Sequence, residues 1–202
     1  MPPVRRSVRL RAASSQPPAE SSLTRPTAAA KVAERVAASA PRCWLMKAEP
    51  ESRIVKGQDV KFSIDDLCAM KDSTSQWDGV RNFEARNIMR DQMKLGDKVF
   101  FYHSNCKTPG IAGVAAIVRE GYPDHTAFDA AHPYYDPKSE RDAPKWFMVD
   151  VKFERKFAQI LSLAELKEHR PLANMVLIKR GRLSVQPVQQ VEYDYILALA
   201  NK

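Results

Sequence analysis

The stretch WDGVRNFEARN, residues 77–87, places a Trp, a glycine turn and a helix start within eleven positions. Asn82 is a residue type that caps helices, and apolar residues recur at helical spacing after it. The pattern predicts a helix from Asn82 to about Lys94, which Gly96 ends. The polar turn therefore lies at a helix N-terminus, where free backbone N–H groups attract a phosphate or a base carbonyl.

A second informative stretch, FYHSN at residues 101–105, reads as an aromatic strand that ends in polar groups. Aromatic faces stack on nucleobases, and amide or hydroxyl groups pair with the polar edges of the bases. Together the two stretches predict a small pocket with a flat apolar wall and a rim of hydrogen-bond donors and acceptors. Such a pocket suits a planar, polar-edged ligand such as a nucleobase.

Strand-like runs predict a small sheet, at residues 43–47, 99–103, 111–118 and 147–154. The second and third of these runs flank a Pro-Gly turn and predict a hairpin. Residues 121–144 hold four prolines and little periodicity, which predicts a long loop with one helical turn.

Three further helices are expected. Ser63 and Ser162 each open a capping-box pattern, so short helices should run to about Met70 and His169. A final helix follows Pro187, and its predicted inner side consists of Val188, Val191, Tyr195 and Leu199. The order of elements predicts an α+β domain built around a small curved sheet or barrel of about five to six mixed strands.

Composition divides the chain into a tail and one domain. Residues 1–42 hold seven Arg and one Lys against two Glu, a net charge of +6, with six prolines and no aromatic residue. This composition predicts a disordered basic tail, because it cannot bury enough apolar surface to offset chain entropy. Residues 43–202 carry only +2 and are predicted to form a single domain, so bulk charge does not argue for nucleic-acid binding there.

The arginine residues of the tail bear on the subcellular location of the protein. Arg5, Arg6, Arg9 and Arg11 form a cluster that could be a nuclear import signal, and import machinery is then a partner. The alternatives are a nonspecific phosphate contact, a mitochondrial presequence with Val4, Val8 and Ala12 on one helical face, or simply a solvated basic tail. We expect a nuclear, monomeric protein, with the mitochondrion as the alternative.

Several classes of function lack support in the sequence. No apolar run approaches the ~20 residues that cross a bilayer, so we expect no membrane partner. The three cysteines form no CxxC pair, and only His103 and Cys106 have a metal-like spacing, so we expect neither metal nor cofactor. Ser104 beside His103 lacks a nucleophile elbow, and an enzyme is not expected.

Candidate residues for the pocket follow from side-chain chemistry. Aromatic faces are available at six positions, and each has core packing as its alternative role: Trp44, Trp77, Tyr102, Tyr134, Tyr135 and Trp146. Asn82, Ser104, Asn105 and Gln186 could read a base edge, although capping and turn formation would also explain them. Basic candidates for flanking phosphates are Lys47, Arg81, Arg86, Lys145 and Arg182.

Motifs throughout residues 43–200 resemble the EVE domain family, among them WLMKAEP at 44–50, WDGVRN at 77–82, YHS at 102–104, GIAG at 110–113, YDP at 135–137, WFMVDV at 146–151 and RLSVQP at 182–187. The resemblance implies a PUA-like pseudo-barrel and a non-catalytic module that binds modified bases. For vertebrate members it implies a nuclear location and recognition of methylated or oxidised cytosine in DNA, while the wider superfamily leans toward RNA. With the matching positions Val80, His103, Tyr135, Asp136 and Ser184, it completes the candidate pocket.

Competing hypotheses remain beside a DNA reader. The same aromatic groove could take a peptide, and the base could be in RNA. An enzyme acting on a modified base would need turnover that depends on His103 or Asp136. One departure from the family is that the segment around 167–172 looks shorter than in relatives, which could alter how the pocket closes.

Overall fold

The structure is a computed structural model that describes residues 42–201. The predicted tail and its import signal at residues 1–41 lie outside the described residues. The strands are β1 Cys43–Ala48, β2 Ile54–Val55, β3 Gln58–Asp59, β4 Thr74–Gln76, β5 Lys98–His103, β6 Gly110–Pro123, β7 Phe147–Ser162 and β8 Val185–Val188. The α-helices are α1 Ile64–Ala69, α2 Phe83–Asn87, α3 Leu163–Glu168, α4 Val176–Lys179 and α5 Gln190–Ala200.

Six strands form one mixed sheet in the order β4-β7-β6-β5-β1-β8 within the described residues, and β2 pairs with β3 as a separate hairpin. Strand β1 runs parallel to β5, so Trp44 lies opposite Val99 and Lys47 opposite Tyr102, while the other pairs are antiparallel. Register shifts interrupt the β6–β7 pairing at four places, which is how long strands bend and twist. The α+β class and the mixed sheet are confirmed.

Alternation along the strands builds a core on each face of the sheet. On one face Trp44, Met46 and Phe101 pack with Trp77 and other residues from the segment before α2. On the other face the intervening residues, among them Leu45, Phe100 and Tyr102, pack with α5. The central strands are therefore apolar along their whole length, as expected for strands buried on both faces.

Local capping signals are confirmed. Ser63 and Asp66 make both hydrogen bonds of a capping box at α1. Asn82 accepts from the Ala85 N–H at α2, and Ser162 accepts from the Glu165 N–H at α3. These side chains satisfy backbone donors that a helix N-terminus leaves unpaired.

The helix after Asn82 ends close to the predicted Lys94, because it changes at Ile88 into a π-helical segment, Ile88–Gln92, which Met93 caps. The face predicted for the last helix was correct at Tyr195 and Leu199, which pack against the core, and wrong at Val191. The last helix buries Glu192, Tyr193 and Ile196, whereas Val191 is 70% exposed. The reason is that Val188 still belongs to β8, paired with Cys43, so the helix begins only at Gln190 and its buried face is displaced.

The middle of the chain also differs in extent from the predictions. Strand β6 continues to Pro123 and β7 continues to Ser162, both longer than expected. The loop between them contains one helical turn, a 3-10 helix at His125–Phe128, as predicted. No helix of residues 42–201 is long and apolar enough to cross a membrane.

Candidate functional site

A cleft of about 810 Å³ opens beside the C-terminal ends of the parallel strands β1 and β5. This volume lies in the range of small-ligand sites. The β2–β3 hairpin, the segment 77–82 and the end of the 124–134 loop complete its walls. Predicted site residues that line it are Lys47, Trp77, Val80, Arg81, Asn82, Tyr102, Ser104, Asn105, Arg182 and Ser184.

Trp77 forms a rigid part of the wall. Its ring meets the ring of Phe62 edge-on at 5.9 Å and that of Phe101 edge-on at 5.3 Å, between ring centroids. Its main-chain N–H donates to the carbonyl of Val149 at 2.7 Å, and only 7% of the residue is exposed. Trp77 is therefore core and cleft wall at once, and its position is set by packing.

Gly79 lets the ring of Tyr134 approach the backbone of this wall. The glycine has φ of +74°, and a Cβ atom built on it would lie 2.5 Å from Cδ2 of Tyr134. Its N–H donates to Asp124 at 3.1 Å. Only glycine combines this backbone conformation with the space that the ring needs.

Arg81 connects the segment 77–82 to the 124–134 loop. Its guanidinium donates to the carbonyl of Tyr134, at 2.8 Å through Nε, and to the carboxylate of Asp124 at 2.7 Å. Asp124 is fully buried, which by itself would raise its pKa, but hydrogen bonds from Thr126 and Arg81 hold that pKa below its usual value. Arg81 thus stabilises the cleft, and hydrogen bonds to Val80, Tyr134 and Asp124 occupy most of its N–H groups.

Asn82 caps a helix with one end of its side-chain amide and leaves the other end without a partner in the protein residues that the structure describes. The oxygen Oδ1 accepts from the Ala85 N–H at 3.0 Å and caps α2. The residue is exposed at the cleft, and within the described residues its amide nitrogen has no protein acceptor. The amide N–H₂ is thus available to donate to a ligand.

The strand ends contribute a second polar group of the cleft. Lys47 donates from Nζ to the carbonyl of Gly181 at 2.6 Å and lies 5.3 Å from the centroid of the Tyr102 ring. Burial lowers the pKa of Lys47 and raises that of Tyr102 to about 12. Ser104 donates to the carbonyl of Ala48 at 3.1 Å.

Asp78 and His132 form a half-buried pair in the cleft, with Oδ2 and Nε2 separated by 3.3 Å. Burial raises the pKa of Asp78, the charge of Asp124 adds to the rise, and His132 opposes it. The sequence stretch that defines the turn contains Asp78, but no role was predicted for it.

Three predicted pocket residues lie in the core instead, outside the cleft. Trp44 donates its indole N–H to Asp97 at 2.7 Å. His103 accepts from the Ile64 N–H at 3.1 Å, and burial lowers its pKa. Gln186 donates to two carbonyl groups, at 2.7 and 3.0 Å. Each side chain is therefore used to hold neighbouring segments together.

Other predicted residues form an adjacent cluster around Trp146. The indole N–H of Trp146 donates to Asp136 at 2.7 Å, and its ring stacks on Phe83 with centroids 5.0 Å apart. Lys145 lies 3.4 Å from Asp136, and Arg86 donates to the carbonyl of Lys145. The ring of Tyr135 lies 5.6 Å from the amine of Lys56. None of the predicted residues in this cluster lines the cleft.

The β2–β3 hairpin supplies cleft residues that the sequence did not indicate. Arg53 pairs with Glu49 at 2.5 Å, and Gln58 donates to the carbonyl of Ala131 at 3.1 Å. The contact of Gln58 joins segments that are 73 residues apart, so no local spacing could reveal it, whereas Arg53 and Glu49 are only four residues apart. Tyr134 was among the predicted aromatic faces and does line the cleft. Within residues 42–201, no three His, Cys, Asp or Glu residues are grouped to hold a metal.

Comparison with known proteins gives concordant matches. A model of the EVE domain family matches residues 42–199. Human thymocyte nuclear protein 1 is 57% identical over 167 residues, which are 79% of this chain and 74% of that protein. The crystal structure of the human THYN1 protein in complex with DNA containing 5-methylcytosine is 56% identical, with a TM-score of 0.77 over 80% of this chain and 98% of that one. A crystal structure from Pseudomonas putida is 42% identical, with a TM-score of 0.70 over 78% and 99% of the two chains.

Proposed function

This chain belongs to the EVE domain family, and we propose that its cleft binds a modified cytosine, methylated or oxidised, in DNA. One observation carries the proposal: the human structure solved with 5-methylcytosine DNA is 56% identical over 80% of this chain. The cleft of about 810 Å³, with aromatic walls and a polar rim, supports the same function.

The cleft fits a base that has left the helical stack. Such a base needs an apolar surface for its face and hydrogen-bonding groups for its edge. Trp77 and Tyr134 supply aromatic surface, and the amide of Asn82 supplies a donor for a base acceptor. Lys47 adds a positive charge at the end of β1. These residues line one cleft, so they can act on one base together.

Flanking phosphates would be held at the rim. Arg182 is exposed at the cleft, while Arg86 and Lys145 lie on the neighbouring Trp146 cluster. Residues 43–202 carry a net charge of only +2, so these contacts and the basic tail provide the nonspecific affinity, and the cleft provides the specificity. Relatives are named thymocyte nuclear protein 1, which supports a nuclear location, with import through the tail. The protein would act as a monomer.

Binding without catalysis is favoured by the two residues on which an enzyme hypothesis depended. His103 is buried and accepts a main-chain hydrogen bond from α1, and Asp136 accepts one from the indole of Trp146. Neither lines the cleft, so neither is placed to transfer a proton to a ligand there.

The test is equilibrium binding of the full chain, at one fixed salt concentration, to DNA duplexes that differ in a single cytosine. That cytosine is unmodified, methylated or oxidised at C5, and matched RNA duplexes form a second series. We expect modified DNA to bind about tenfold or more tightly than unmodified DNA, the range for one methyl group in an apolar pocket. Equal affinity for every oligonucleotide would contradict the proposal and favour a protein-interaction module, and preference confined to RNA would reassign the substrate.

An Asn82→Asp variant separates the donor from the cap. A carboxylate caps a helix as well as an amide does, so the fold should be kept, while the amide donor is lost. We expect the preference for modified cytosine to fall. Asn174→Asp is the matched control, because Asn174 is exposed and lies outside the cleft, so it adds the same charge away from the ligand.

A further inference from the structure

Three carboxylates line the cleft, at Glu49, Asp59 and Asp78. Glu49 pairs with the guanidinium of Arg53 at 2.5 Å. Asp59 accepts from the hydroxyl of Ser52 at 2.7 Å and from two main-chain N–H groups at 3.0 Å, and these bonds hold its pKa low. Two of the three carboxylates therefore already receive strong donors from the protein.

Asp78 is poorly supplied with donors by comparison. Its one ion-pair contact in the described residues is with Nε2 of His132 at 3.3 Å. Because Nδ1 of His132 accepts from the Tyr134 N–H at 3.3 Å, the hydrogen of the neutral ring is on Nε2 and faces Asp78. Burial and the charge of Asp124 nevertheless raise the pKa of Asp78, and donors that include its own main chain and Thr126 offset only part of this. The folded protein thus stabilises this carboxylate less well than water does.

The ligand chemistry identifies what such an acceptor could distinguish. Cytosine carries an exocyclic amine at C4, where thymine carries a carbonyl oxygen. 5-Methylcytosine and thymine both carry the methyl group at C5, so contact with that methyl group cannot tell them apart. A carboxylate attracts the amine and repels the carbonyl oxygen.

We infer that Asp78 accepts a hydrogen bond from the exocyclic amine of the bound cytosine and thereby separates 5-methylcytosine from thymine. The inference rests on the proposed function of the cleft. Asp78 lines the same cleft as Trp77 and Tyr134, and its side chain is 32% exposed, so its acceptor is accessible to a base bound between these walls. An amine donor from the ligand would supply the stabilisation that the protein leaves incomplete.

The test uses the full chain and DNA with 5-methylcytosine, cytosine or thymine at one position. The target lies opposite an abasic site, so that no base pair has to be broken for any of the three. For the unaltered chain we expect 5-methylcytosine to bind about tenfold or more tightly than thymine, because a wrong edge loses a hydrogen bond and meets like charge. In Asp78→Asn the preference for 5-methylcytosine over thymine should fall to about threefold or less, because the side-chain amide can rotate and donate a hydrogen bond to the C4 carbonyl oxygen of thymine.

Two comparisons make the outcomes distinct. The ratio of the affinity for 5-methylcytosine to the affinity for cytosine tests the proposed function. This ratio should be unchanged in Asp78→Asn, because it depends on the methyl group. Asp142→Asn is the matched control and should leave both ratios unchanged, since Asp142 is exposed and lies outside the cleft. An unchanged ratio of 5-methylcytosine to thymine in Asp78→Asn would overturn the role of Asp78 alone, whereas equal binding of all three bases by the unaltered chain would overturn both proposals.

Discussion

The ring of Tyr134 occupies the space into which a side chain at position 79 would project. A Cβ atom on Gly79 would lie 2.5 Å from Cδ2 and 2.9 Å from Cγ of that ring. The contact joins the turn before α2 to the end of the 124–134 loop, and both segments are walls of the cleft. The shape of the cleft on this side therefore depends on a missing side chain.

Gly79→Ala should reduce both stability and binding of modified DNA, because Tyr134 must move. Gly96→Ala is the matched control, since Gly96 has φ of +85° and no atom within 4 Å of an added Cβ. Both variants bear the strain of the left-handed conformation, so we expect Gly79→Ala to lower the free energy of unfolding by about 1–3 kcal/mol more than Gly96→Ala. Urea denaturation measures the difference. Equal losses of unfolding free energy in the two variants would show that the ring of Tyr134 moves aside without a measurable penalty.

Removing the charge of Arg81 should be strongly destabilising. The change Arg81→Met leaves Asp124 fully buried without its guanidinium partner, and we expect a loss of about 3 kcal/mol. Arg180→Met is the control, because Arg180 and Glu84 form an exposed pair whose loss should have little measurable effect. Thermal unfolding at neutral pH compares them, and similar losses in the two variants would argue against a structural role for the buried pair.

Trp77 should prove to be a stability residue as well as a cleft residue. With 7% exposure and two edge-on aromatic neighbours, Trp77→Ala should cost about 3–5 kcal/mol. Trp77→Phe should cost less, because it keeps a ring in contact with Phe62 and Phe101. Phe83→Ala, at a residue that is 56% exposed, is the comparison for removal of an aromatic side chain outside the core. If Trp77→Ala were as stable as Phe83→Ala, the packing described for this wall would be incorrect.

The burial of neutral His103 should make stability depend on pH. Burial lowers its folded pKa below the unfolded value, so the unfolded chain binds more protons as pH falls below about 6.5, and stability then decreases. His103→Gln keeps an acceptor for the Ile64 N–H but does not titrate. Between pH 7 and 5, stability of the unaltered chain should therefore fall more steeply than that of the variant, by up to about 1.4 kcal/mol per pH unit. Parallel pH profiles would contradict this.

Local sequence signals predicted local structure well. The caps at Ser63 and Asn82 depend on side chains within three residues of the donors that they satisfy, so the sequence contains the whole interaction. The alternation of side chains between the two faces of a strand is also a local property of the sequence. Tyr102 and Ser104 both line the cleft, while the imidazole of His103 between them accepts from the main chain of α1 instead, as side-chain alternation along a strand predicts.

The rest of the site depends on contacts between residues that are far apart in the sequence. Tyr134 reaches the cleft because Arg81 and Gly79 hold the 124–134 loop, and no spacing along the chain encodes that meeting. Gln186 lies two residues from Ser184 yet is buried, because Gln186 belongs to β8 and pairs with Leu45 of β1, whereas Ser184 precedes the strand. Gln186 was a candidate because its side-chain amide can donate and accept hydrogen bonds, but tertiary packing places it in the core.

The most direct test of base recognition by the cleft is residue-resolved NMR of the full chain with two DNA oligonucleotides. The two differ only in one methyl group, on C5 of a single cytosine. Shift differences between the two complexes should concentrate at the Asn82 side-chain amide, the Gly79 amide and the Trp77 ring. Identical spectra for the two complexes, or differences confined to residues away from the cleft, would contradict recognition of the modified base at this site.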